Sequence, residues 1–116
     1  MQLFGIPNCS TVKKARDWLD LHHIAYDFHD FKKQGVSPEL LDNWLNQMPW
    51  EKLVNRAGLT WRNLTEAEKT AVNDASSAIH LMQLKTSVIK RPILVKAGKI
   101  IAIGFDETTY QALFKQ

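Results

Sequence analysis

The sequence has a single cysteine among its 116 residues, Cys9. One thiol cannot close an internal disulfide, which excludes the small disulfide-stapled scaffolds of secreted proteins. A run of about 20 apolar residues, the length a helix needs to cross a bilayer, is also missing. Lys13, Lys14 and Arg16 interrupt the N-terminal apolar segment too early for a signal peptide. The expected location is therefore the cytoplasm, with no membrane partner. There is no low-complexity tract, no internal repeat, no glycine-rich phosphate loop and no Ser-His-Asp signature. Charge of one sign is scarce as well. Fifteen Lys and Arg against twelve Asp and Glu leave a formal charge of +3, which suits a small anionic ligand better than a nucleic-acid groove. His22, His23, His29 and His80 include no pair at helical ligand spacing, so no metal site is expected.

A hydrophobic content of 45% is enough to build a core, and the length fits one domain spanning 1–116; a monomer is expected, although length does not decide it. Residues 2–6 read as a strand that stops at Pro7-Asn8, a turn pair. A helix is expected from Ser10, with Val12, Ala15, Leu19 and His22 or His23 on one stripe. "IAYDFHDF" reads as a second strand, and two strands joined by such a helix make a right-handed, parallel βαβ unit.

The middle of the chain, about 37–86, reads as helical. Ser37-Pro38-Glu39 is a helix start, followed by an apolar face of Leu40, Leu41, Trp44, Leu45 and Met48 that Pro49 terminates. A short helix is expected over 50–54. Thr65 and Glu68 have capping-box spacing, and another helix is expected over about 75–84. "PILVKAGKIIAI" reads as a hairpin around Ala97-Gly98. Asp106 can cap a last helix that buries Tyr110, Leu113 and Phe114. The fold class is thus α/β: β-α-β, a helical insertion, then β-β-α around a mixed four-stranded sheet.

Cys9 lies where the first strand gives way to the first helix. A free cysteine is often a small buried hydrophobe. The first turn of a helix, however, offers unpaired N–H groups and the positive end of a dipole, and both favour a thiolate. Ser10 and Thr11 can add hydroxyl hydrogen bonds. Together with Asn8 and Lys13 they make a candidate surrounding for an anionic substrate. Trp18, Trp44, Trp50 and Trp61 read as packing residues.

Three separated segments, "GIPNCSTVKKARDWL", "WEKLVNRAGLTWRNL" and "IKRPILV", are spaced as in the ArsC family, which has a thioredoxin-like fold. The family includes glutaredoxin-linked arsenate reductases, the Spx regulators and the YffB proteins, and the chain resembles the last most closely. The resemblance implies that Cys9 is the catalytic cysteine and that Arg91 precedes a proline, Pro92, held in cis next to it. It also implies substrate contacts from Pro92 and Arg56. Of the three arginines that arsenate reductases of this family use, one matches Arg91. The place of another falls on Asn55, beside Arg56, and "IAIGFD" has none at the third. Arsenate is therefore expected to be a poor substrate. Spx carries a Cys-x-x-Cys switch, whereas Val12 stands at the second position here.

The expected activity is that of a monothiol reductase acting on an oxidised centre, either a small-molecule or protein disulfide or an oxyanion. No bound cofactor is expected. Glutathione is the expected co-substrate and a glutaredoxin a possible partner. The alternative is an Spx-like regulator that binds RNA polymerase without an internal redox switch.

Overall fold

The computed structural model describes residues 1–115. The chain forms two compact units, Met1–Gln34 with Arg91–Gln116, and Gly35–Lys90. The helical stretch expected at about 37–86 lies within the second of these.

The first unit carries the sheet. Its strands are β1 (Gln2–Gly5), β2 (Asp27–Asp30), β3 (Ile93–Lys96) and β4 (Lys99–Ile103). The spatial order is β2-β1-β3-β4. β1 pairs in parallel with β2 and antiparallel with β3, and β3 pairs antiparallel with β4. The sheet is mixed and four-stranded, and the fold is the thioredoxin-like α/β fold. Ala97 (φ 51°) and Gly98 (φ 78°) both take the left-handed conformation that a tight two-residue hairpin turn requires.

One face of the sheet presents Leu3, Phe28, Leu94 and Ala102, which stand opposite one another across neighbouring strands. Helices α1 (Ser10–Leu21) and α7 (Glu107–Leu113) cover this face with Ala15, Trp18, Leu19 and Tyr110. Trp18 completes the apolar stripe of α1. The expected extension of that stripe through His22 or His23 is not realised, because both are exposed. His22 instead stacks on the Trp18 ring at 3.9 Å, and its Nδ1 is 2.8 Å from the Trp18 carbonyl oxygen.

Two further expectations for this unit need correction. The second strand is shorter than "IAYDFHDF" at both ends: it begins at Asp27, and Phe31 opens a short helix, α2 (Phe31–Gln34). Polar side chains end the strand there: Asp30 Oδ1 accepts from the Lys32 N–H at 2.8 Å, and the Asp30 N–H donates to Gln34 Oε1 at 3.1 Å. In α7, Asp106 is the expected N-cap and Tyr110 is buried, but Leu113 is 41% exposed. With Tyr110 on the buried side, Leu113 falls on the flank of a seven-residue helix that reaches the core along one narrow stripe.

The second unit contains α3 (Pro38–Leu45), α4 (Leu59–Arg62), α5 (Glu66–Ala71) and α6 (Ala75–Leu84), with a turn of 3₁₀ helix at Trp50–Lys52. Ser37 Oγ caps α3 by accepting from the Leu40 N–H at 3.1 Å. The Thr65–Glu68 capping box forms in both directions, at 2.8 and 3.1 Å. Leu41, Trp44, Ala78 and Met82 are buried, whereas Ala75 is exposed. Gln83 Nε2 donates to the Val36 carbonyl at 3.1 Å. An antiparallel bridge, Val54 to Ile89, ties the middle of the unit to its end. Among the described residues no helix is long and apolar enough to cross a membrane.

Candidate active site

β1 delivers the chain to the C-terminal edge of the parallel strand pair, and Pro7-Asn8 reverses it. The Cys9 N–H donates to the Ile6 carbonyl at 3.2 Å, and the Lys13 N–H donates to the Cys9 carbonyl at 2.9 Å. Cys9 is therefore the N-cap of α1, with extended backbone (φ −92°, ψ 125°). The helix starts close to the sheet because residue 5 is glycine. A Cβ there would lie 2.8 Å from Val12 Cγ2, nearer than packed carbons allow.

A neutral thiol is a weak acceptor, and Cys9 closes no capping hydrogen bond onto the first turn. The environment acts instead on the thiolate. Burial is the largest single influence and raises the thiol pKa. Against it work the Val12 N–H, the Arg91 side chain as a hydrogen-bond donor, the Thr11 N–H and the positive charge of Arg91. Together they outweigh burial, and the Cys9 pKa is lowered from its ordinary value. The thiol is half-buried, which leaves it accessible to a reactant.

Arg91 comes from the other end of the first unit, at the entrance to β3. The Arg91–Pro92 peptide bond is cis, as the resemblance implies. Pro92 is buried, and its carbonyl accepts from the Gly104 N–H at 2.8 Å.

The structure thus brings Cys9, Thr11, Arg91 and Pro92 into one corner of the first unit. Asn8 and Ser10 lie beside the sulfur in the chain, in the exposed turn and at the first helical position. The Lys13 ammonium is committed to Asp17, one turn further along α1, in an exposed ion pair of 2.7 Å. Arg56 belongs to the helical unit, where its guanidinium lies 5.4 Å from the centre of the Trp50 ring. Among the described residues no cluster of three His, Cys, Asp or Glu is placed to hold a metal ion. Two main-chain groups near this corner have no side-chain signature in the sequence. In the sequence Val12 reads as an apolar stripe residue and as the non-thiol second position of a Cys-x-x-Cys pattern, although a cysteine at the N-cap necessarily has the third helical N–H near its side chain. Gly104 carries no signal in the sequence, because its bond to the Pro92 carbonyl depends on pairing across the hairpin.

The whole chain has solved and curated relatives. The solved structure of a YffB protein superposes with a TM-score of 0.88 at 47% identity, over 96% of both chains. An arsenate reductase (ArsC) related protein from Brucella melitensis gives 0.78 at 49% identity, over 99% of this chain and 94% of that one. An uncharacterized protein of Haemophilus influenzae is 41% identical over 97% of this chain and 96% of its own length. The global transcriptional regulator Spx of Streptococcus pneumoniae is 26% identical over 95% of this chain and 82% of its own. The ArsC family description matches residues 4–113, almost the whole length, and the chain belongs to the ArsC family.

Proposed function

We propose that the protein is a cytoplasmic monothiol reductase that uses Cys9 as nucleophile and glutathione as reductant. The observation that carries this reading is the set of donors around the sulfur: the Val12 and Thr11 N–H groups and the Arg91 guanidinium all favour the thiolate. A thiolate is the form that attacks a disulfide. Cys9–S⁻ attacks one sulfur of R–S–S–R′, forming Cys9–S–S–R and releasing R′–S⁻. Val12 stands where a resolving thiol would have to be, and the chain has no other cysteine. The second thiolate must come from outside. Glutathione thiolate then attacks the R sulfur, forming R–S–S–glutathione and restoring Cys9–S⁻. A glutaredoxin is the candidate to reduce the glutathione mixed disulfide that results. Alternatively, glutathione disulfide itself is the substrate, and Cys9 carries the glutathionyl group. Arg91 is suited to hold a carboxylate of the tripeptide, and Asn8, Ser10 and Thr11 offer polar groups beside it.

The reading is tested by incubating the protein with oxidised glutathione and measuring its intact mass. One glutathionyl group should be added at Cys9 and none to Cys9→Ser. Arg91→Ala should weaken glutathione binding with the fold intact, as judged by circular dichroism. Unmodified Cys9 after prolonged incubation would exclude glutathione as the co-substrate. The likeness to Spx supports a second reading, in which the fold docks on RNA polymerase. Direct binding of purified polymerase, retained in Cys9→Ser, would favour that one.

A further inference from the structure

Arg91 is carried to Cys9 by the short piece of backbone that leads into β3. Pro92 has no N–H to contribute, so its carbonyl is its sole main-chain hydrogen-bonding group. That carbonyl accepts from the Gly104 N–H at 2.8 Å, one step beyond the last paired residues of the β3–β4 ladder, Ile93 and Ile103. Gly104 makes this bond at φ +78°, a conformation that residues with a side chain resist. A Cβ built there would meet nothing within 4 Å, so the demand for glycine is conformational and not steric.

Immediately after Gly104 the chain leaves the sheet. Phe105 packs edge-to-face on Tyr110 at 4.8 Å, and Asp106 Oδ2 accepts from the Thr109 N–H at 3.0 Å to cap α7. A residue that cannot hold φ +78° must give up either this exit or the bond to Pro92. The exit is anchored by the packing of Phe105 on Tyr110 and by a cap; across the ladder Pro92 is buried, and its carbonyl has this one main-chain partner. The Pro92 bond is the one that yields.

We propose that Gly104 is a positioning residue for Cys9: its hydrogen bond to the Pro92 carbonyl fixes the turn that carries the Arg91 guanidinium to the sulfur. The proposal rests on the activated-thiolate reading above and extends it to a group that touches neither sulfur nor substrate. A charge-assisted hydrogen bond loses strength steeply with distance and angle, so a small drift of the turn weakens the hold on the thiolate.

Gly98 provides a matched control. It too has φ +78°, and a Cβ there also meets nothing within 4 Å, but it sits at the tip of the same hairpin, at the opposite end of the ladder. Iodoacetamide alkylation of Cys9 is followed against pH, together with thermal stability, in Gly104→Ala, Gly98→Ala and Gly104→Asn. Both alanine variants should lose stability to a similar degree. Only Gly104→Ala should move the alkylation midpoint to higher pH and slow alkylation at pH 7 by roughly threefold or more, a fraction of what a charged hydrogen bond contributes. Asparagine tolerates the left-handed region, so Gly104→Asn should keep the parent profile. In an Arg91→Met background Gly104→Ala should add no further shift, because its route to the sulfur runs through Arg91.

Equal midpoints in Gly104→Ala and Gly98→Ala overturn the proposal, as does a Gly104→Ala shift that persists without Arg91. A parent midpoint in the ordinary thiol range overturns the activated-thiolate reading itself, before any glycine variant is compared.

Discussion

Tyr110 carries a hydroxyl that the fold pays to bury. The residue is fully buried, and among the described residues its Oη has no hydrogen-bond partner. Its ring meets Trp18 at 5.5 Å and 90°, Phe105 at 4.8 Å and 77°, and Phe114 at 6.3 Å and 65°. Tyr110→Phe keeps those edge-to-face contacts and removes only the oxygen. A buried donor without a partner costs about 1–3 kcal/mol, so the variant should be as stable as the parent or more stable by about 1 kcal/mol. For a chain of this size a gain of that order raises Tm by roughly 4 °C.

The difference should grow in alkali. Burial pushes the Tyr110 phenol from 10.0 up to about 12. Below pH 10 both folded and unfolded forms keep the proton. As pH rises from 10 to 12 the unfolded form loses its proton first, and folding weakens by about 2–3 kcal/mol at about 1.4 kcal/mol for each pH unit between the two values. Phenylalanine has no proton to lose, so the variant escapes that part of the alkaline decline. Urea titrations of parent and variant at pH 7, 10 and 11 measure both effects. A Tyr110→Phe variant less stable than the parent by 1 kcal/mol or more at pH 7 would show that the hydroxyl has a strong partner and refute the argument.

Cys9 should be alkylated by iodoacetamide with a midpoint below about 8.5, the free-thiol value, and a midpoint at or above it contradicts the geometry around the sulfur. By the same linkage, the more acidic folded thiol adds stability relative to Cys9→Ser above the free-thiol pKa, a gain lost as pH falls through the folded value. Glutathione-coupled arsenate reduction should fall below that of a reductase with all three arginines by roughly a hundredfold for each missing donor. A rate equal to such a reductase would show that other groups take their place. Gly5→Ala should destabilise by about 1–3 kcal/mol, because its Cβ would press on Val12 Cγ2 at 2.8 Å. It should also slow alkylation of Cys9 by pushing the start of α1 off the sheet. Parent-like stability and alkylation would mean that the helix yields without cost.

Capping and turn signals in the sequence specify their elements where the information is local. Ser37 before Pro38, and Thr65 three residues before Glu68, specify helix starts because a hydroxyl reaches the third N–H whatever the rest of the chain does. Ala97-Gly98 specifies a hairpin because the turn needs two left-handed residues. Cys9 could be placed at a helix N-terminus for the same reason, since Pro7-Asn8 ends a strand and the apolar stripe begins at Val12. Composition alone excludes an internal disulfide.

Contacts between distant residues decided the rest. The end of β2 at Asp30 depends on which polar side chain turns back onto the backbone, and the periodicity of "IAYDFHDF" does not contain that choice. The exposure of Leu113 depends on how α7 is rotated against Trp18. Lys13 is as close to the sulfur in sequence as any cation, and in the structure its ammonium pairs with Asp17. Arg91 is 82 residues from Cys9 in the chain, yet it reaches the sulfur because β1 and β3 are neighbours in the sheet. Gly104 has meaning only once β4 lies beside β3. The place of the lone thiol at a helix start is a property of the sequence. Its ionisation is a property of the sheet that brings a guanidinium to it, because electric fields and hydrogen bonds act across space and not along the chain.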